Sequence, residues 1–147
     1  MSLPTLPLDT LVPSVLQPTR CPLPLLACKA PAGFPSPAAD HMDKNLDLTE
    51  YLVLHPQATY FMRVKGDSMT GAGIQHGDLL IVDRSLEPVS GRIVVATLNG
   101  ELTVKRLRKY RGRITLKAEN PAYPEIVVKD EQELQIWGVV AHVVHTP

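Results

Sequence analysis

Several things are scarce in this sequence, and each shortage removes a class of function. Net charge is absent: 15 Lys and Arg stand against 15 Asp and Glu in 147 residues. There is accordingly no global electrostatic pull toward nucleic acid or a membrane surface. The two cysteines, Cys21 and Cys28, form no CxxC pair and have no histidine-rich segment beside them. That argues against a disulfide scaffold or a zinc site and reads as reduced thiols in the cytoplasm. No run approaches the roughly 18 apolar residues that a spanning helix requires. Residues 1 to 34 are apolar, but prolines at 4, 7, 13, 18, 22 and 24 interrupt every possible hydrophobic helix, and no basic residue precedes Arg20. The expectation is neither a signal sequence nor an anchor. Leu25-Leu26-Ala27-Cys28 imitates a lipoprotein cleavage motif without the continuous apolar segment that motif needs.

Proline is plentiful, and it is unevenly placed. Nine of the 14 prolines fall in the first 37 residues, whose only charges are Asp9, Arg20 and Lys29. Proline fixes φ and removes ladder donors, so residues 1–37 read as an extended arm, and its recurring Leu and Val suit it to lie on a surface. From residue 38 to 147 charged and apolar residues alternate as in a folded domain, and 44% hydrophobic content over this length can supply a core. Asp47 followed by Glu50 offers a capping box for one short helix that ends before Pro56. The rest alternates with period two, predicting strands over 59–65, 79–83, 92–98, 101–107, 113–118, 125–129 and 134–144: a mostly β, largely antiparallel domain. Asn99-Gly100 between two such runs is the pair favoured by a two-residue hairpin turn.

Gly66-Asp67-Ser68-Met69 follows a strand and precedes Gly71, Gly73 and Gly77, which puts Ser68 at the mouth of a glycine-marked loop. An exposed nucleophile would suit that position, although a turn or helix cap is the commoner use of Asp-Ser. Among the five histidines, His41, His55, His76, His142 and His145, none shows a partner pattern for a Ser-His-Asp triad. The other possible base is Lys105, which alternation puts on the face of Thr103 and Leu107, opposite Val104. Surface charge is the usual role of such a lysine. To act as a base it must be neutral, and lowering its pKa from about 10.4 to about 7 by burial costs about 4 to 5 kcal/mol, so the site would need a cover. The apolar arm is suited to be that cover.

A set of short segments in a specific order resembles the UmuD-like members of the LexA-type self-cleaving Ser/Lys peptidases. They are Ala32-Gly33-Phe34-Pro35-Ser36-Pro37, His55-Pro56 with Ala58-Thr59-Tyr60-Phe61, Gly66-Asp67-Ser68-Met69, Gly77-Asp78-Leu79-Leu80-Ile81-Val82-Asp83, Thr103-Val104-Lys105 and Trp137-Gly138-Val139-Val140. The resemblance implies a compact peptidase β domain with Ser68 as nucleophile, Lys105 as general base, the backbone N–H groups of Asp67 and Ser68 as oxyanion hole, and Ala32-Gly33 as the bond cut in its own chain. It implies no cofactor and no metal. It further implies a homodimer, cleavage promoted by a RecA filament on single-stranded DNA, and a Y-family polymerase subunit resembling UmuC as partner in error-prone synthesis during the SOS response. Two features depart from UmuD. The bond is Ala-Gly, as in LexA, rather than Cys-Gly, and the preceding arm is longer and richer in proline.

Alternative readings follow from the same residues. A LexA-like or phage-type transcriptional repressor would need a helix-turn-helix that a proline-rich arm of this length cannot form. A pure interaction module would leave Ser68 and Lys105 inert. Lys105, Arg106, Arg108, Lys109, Arg111 and Arg113 form a basic run with one aromatic, Tyr110. This is expected to protect a hairpin edge or meet a protein rather than to bind DNA strongly. The apolar strand from Ile136 to Val144 suits either a dimer interface or the core.

Overall fold

A computed structural model describes residues 20–26, 29–30, 32–34, 44–130 and 133–147. These fall in two compact units, one within Gln17–Leu54 and one over His55–Pro147. The first contains β1 (Pro22–Leu23), β2 (Leu46–Asp47) and helix α1 (Leu48–Leu52), with β1 and β2 paired antiparallel. Asp47 caps the helix as its sequence signal predicts: Oδ1 accepts the N–H of Glu50 at 3.1 Å, and Oδ2 accepts that of Cys21 at 2.6 Å. The N–H groups of Cys21 and Glu50 hold the Asp47 carboxyl below its usual pKa. Only half of the capping box forms, because the Glu50 carboxylate faces Arg20 at 3.4 Å. Ala32, Gly33 and Phe34 make an exposed bend, with Phe34 91% accessible.

The second unit is mostly β. Strands β3 (Thr59–Arg63), β4 (Leu79–Asp83), β5 (Ile93–Leu98), β6 (Glu101–Tyr110), β7 (Arg113–Lys117), β8 (Ile126–Val128) and β9 (Leu134–Val144) form one antiparallel sheet, ordered β3-β4-β9-β5-β6-β7-β8. Asn99 and Gly100 have φ of 52° and 84°, and Leu98 pairs with Glu101 across them, which is the tight turn expected of that dipeptide. Arg111 and Gly112, at φ 48° and 75°, close β6 onto β7 in the same way, so β6 runs three residues beyond its expected end. Although β6 and β7 are interior strands of the sheet, β5 pairs with β6 only as far as Arg106 and β8 with β7 only over Ile114–Leu116, so Arg108 to Arg113 form an exposed hairpin end beyond both neighbours. Arg106 leaves the run altogether, binding Glu119 at 2.5 Å and the Gly91 carbonyl at 2.6 Å.

Period-two alternation divides the core between the two faces of the sheet. Met69, Ile74, Leu80, Val82 and Val95 form one buried cluster, and Val94, Ala96, Leu107, Leu116 and Val139 form the other. Strand β9 is interior to the sheet, bonded to β4 on one side and β5 on the other, with Gly138 and Val139 buried and most of its other residues partly accessible. Two register shifts, at Ile81/Val82 against β4 and Val95/Ala96 against β5, bend it. Gly138 sits between them because the approach is close: a Cβ there would lie 2.6 Å from Val82 Cγ1.

Candidate active site

Ser68 lies in the loop between β3 and β4, and Lys105 in the middle of β6, 37 residues apart in sequence. The sheet brings them together. Lys105 Nζ is 3.1 Å from Ser68 Oγ, 2.8 Å from Thr103 Oγ1 and 3.1 Å from the Val104 carbonyl. Thr103 reaches the amine because residues two apart on a strand share a face. Lys105 is 9% accessible and pairs in register with the fully buried Val94. Burial among apolar neighbours pushes its pKa below the usual lysine value, since the charged form loses hydration without gaining a carboxylate partner. An amine inclined to neutrality at hydrogen-bond distance from a hydroxyl can take that hydroxyl's proton.

The loop carrying Ser68 is held at nearly every residue. The Gly66 N–H donates to His76 Nδ1 at 3.0 Å, and Gly66 has φ 94°, a conformation that favours glycine. Met69 is buried at 3% exposure, and its carbonyl accepts from Ala72 at 3.0 Å and Ile74 at 3.2 Å. A second loop, after β7, straps the first from outside. The Gly71 N–H donates to the Glu119 carbonyl at 2.7 Å, Asn120 Nδ2 donates to the Asp67 carbonyl at 2.8 Å, and the Tyr123 hydroxyl donates to Asp67 Oδ1. The Asp67 carboxylate beside it raises the pKa of the Tyr123 hydroxyl. Sequence reasoning did not find Glu119, Asn120 and Tyr123. Asn120-Pro121 is legible as a turn, but nothing local links it to Asp67, 53 residues earlier.

His55 and His145 pair with aspartates away from Ser68. His55 Nδ1 meets Asp83 Oδ2 at 2.5 Å, and His145 Nδ1 meets Asp78 Oδ1 at 2.6 Å, so two aspartates of the Gly77–Asp83 segment find the partners that the sequence left unassigned. Burial pushes the Asp83 carboxyl up, but the Ser85 hydroxyl, His55 and the Ser85 N–H outweigh it and leave its pKa lowered. The Gln75 N–H and then His145 lower that of Asp78. Among the described residues no group of three or more His, Cys, Asp or Glu could hold a metal ion, and no helix is long and apolar enough to cross a membrane. His41 and Cys28 lie outside the described residues.

Residues 24–141 match the Peptidase S24-like family. Protein SamA of Salmonella typhimurium is 46% identical over 129 residues, covering 88% of this chain and 89% of SamA. Protein MucA of Escherichia coli is 46% identical over 121 residues, 82% of each chain. The LexA repressor of Bordetella petrii is 41% identical over 127 residues, 86% of this chain and 56% of the repressor. The chain belongs to the S24 family of serine peptidases that cleave their own chain, and within it to the UmuD-like proteins of SOS mutagenesis.

Proposed function

We propose that Ser68 and Lys105 are the catalytic dyad of this self-cleavage, that the bond cut is Ala32-Gly33, and that cutting releases an arm comprising most of residues 1–37 from a peptidase domain over 38–147. The observation that carries this reading is the 3.1 Å contact between Lys105 Nζ and Ser68 Oγ, with the lysine buried and its pKa lowered by that burial. Neutral Lys105 accepts the hydroxyl proton as Ser68 Oγ attacks the Ala32 carbonyl carbon. The oxyanion is stabilised by the backbone N–H groups of Asp67 and Ser68. The resulting ammonium then gives its proton to the Gly33 nitrogen as the peptide bond breaks, leaving Ala32 esterified to Ser68. A water molecule, deprotonated by Lys105, hydrolyses the ester. Thr103 Oγ1 and the Val104 carbonyl, at 2.8 and 3.1 Å, hold the amine on line through both proton transfers. The small Ala32-Gly33 pair in an exposed bend leaves room for the attacking hydroxyl.

The protein acts in the cytoplasm as a homodimer. A RecA filament on single-stranded DNA promotes cutting, and the trimmed dimer joins a Y-family polymerase subunit resembling UmuC. Removing the arm exposes the surface it covered, and the covalent step makes the change of partner irreversible. Intact mass measurement of the full chain incubated with RecA, single-stranded DNA and nucleotide is expected to yield a fragment beginning at Gly33, absent for Ser68→Ala. The spontaneous rate should rise with pH until Lys105 is deprotonated, and Lys105→Arg, whose charge cannot be removed, should be inert. Retained cutting by Lys105→Arg would exclude the dyad.

A further inference from the structure

The strap formed by Glu119 to Tyr123 touches neither Ser68 Oγ nor Lys105 Nζ, yet it grips the peptide between Asp67 and Ser68. We propose that Asn120 and Tyr123 are positioning residues that aim the Ser68 N–H at the developing oxyanion; this rests on the assignment of Ser68 and Lys105 above. A trans peptide unit is planar, and its N–H points away from its C=O. Holding the Asp67 carbonyl therefore sets the direction of the Ser68 N–H. That carbonyl accepts a long hydrogen bond from the Thr70 N–H at 3.4 Å within its own loop and a shorter one from Asn120 Nδ2 at 2.8 Å, and the shorter bond also polarises the unit, which strengthens its N–H as a donor.

The orientation of the Asn120 amide is set by its own turn. Its Oδ1 accepts the Ala122 N–H at 2.9 Å, which leaves the NH₂ facing Asp67, while the Tyr123 N–H donates to the Asn120 carbonyl at 3.0 Å and closes a turn around Pro121. Tyr123 then fixes the other side of the residue through Asp67 Oδ1. The strap itself is anchored to the sheet by Arg106 on Glu119 at 2.5 Å, and to the Ser68 loop by the Gly71 N–H on the Glu119 carbonyl at 2.7 Å.

The test is the pH profile of spontaneous self-cleavage of the full chain, followed by intact mass, for wild type, Asn120→Asp and Tyr123→Phe, with Ser68→Ala beside them. Asn120→Asp preserves size and the acceptor for Ala122 but turns an oxygen toward the Asp67 carbonyl. The plateau rate is expected to fall about tenfold to a hundredfold, the scale of a misaimed oxyanion donor, while the added carboxylate raises the pH midpoint by favouring the charged form of Lys105. Tyr123→Phe deletes only a hydroxyl on an exposed side chain, adds no charge, and should lower the plateau about threefold to tenfold at constant midpoint. It decides the matter alone if Asn120→Asp does not fold. A wild-type plateau in a folded variant overturns the proposal, as does a shifted midpoint in Tyr123→Phe, which would place the effect on Lys105. Cutting by Ser68→Ala would overturn the underlying dyad instead.

Discussion

Lys105 is an amine that most strands would leave in water, held here out of water with two hydroxyls and a carbonyl as its acceptors and no carboxylate to balance its charge. Its folded pKa lies below its unfolded one, so the unfolded chain binds more protons in the window between them. Stability is therefore penalised in full below the folded value, and the penalty fades as pH rises toward the ordinary lysine value. Lys105→Met should raise unfolding free energy at neutral pH by about 1 kcal/mol or more, with the gain vanishing above about pH 10.5 while cleavage is abolished. Denaturant titrations at several pH values would check this, and an unstabilised variant would mean that Lys105 pays no burial cost. Ser68 and Lys105 were legible in the sequence through short motifs. The His55–Asp83 and His145–Asp78 pairs were not, because their members are 28 and 67 residues apart and no spacing rule joins them.

At the scale of elements, local signals worked where the determining interactions are local. Asn99-Gly100 set a turn, Asp47 set a helix start, and alternation set seven strands, two of them, Leu79–Asp83 and Leu134–Val144, to the residue. The expected strand over 59–65 stops at Arg63 because Val64 is claimed by the following loop, donating to the Asp78 carbonyl and accepting from the Gly77 N–H, both at 2.9 Å. Alternation could not show that Arg111-Gly112 turns, since Arg carries no turn signal and Gly112 alone does not decide a type. Contacts between loops were also hidden. Gly71 looked like one of several loop glycines, whereas a Cβ there would come within 2.5 Å of the Glu119 carbonyl oxygen, a backbone atom with little freedom to move. Gly71→Ala should therefore cost about 1 to 3 kcal/mol and slow cleavage by loosening the strap. Denaturant unfolding and the cleavage plateau would read both effects, and full stability would show that the two loops can separate freely.

At the scale of the molecule, both apolar clusters are built within the unit His55–Pro147, from Met62 to Val143. A chain beginning at Gly33 should consequently keep the cooperative unfolding of the sheet, with its midpoint within a few degrees of the full chain's, measured by thermal unfolding followed through circular dichroism. Loss of cooperativity would make the arm part of the core. The sequence by itself determined the β class, the helix cap and the hairpin at Asn99-Gly100, because periodicity, capping and turn chemistry act between near neighbours, and its short family motifs singled out Ser68 and Lys105 as candidates. Only the tertiary structure decided that β9 lies between β4 and β5, that the basic hairpin end extends beyond its neighbouring strands, that Lys105 is buried 3.1 Å from Ser68, and that Asn120 and Tyr123 hold Asp67. Those features depend on which distant strands and loops pack together, and burial is set by that packing rather than by a residue's neighbours in the chain.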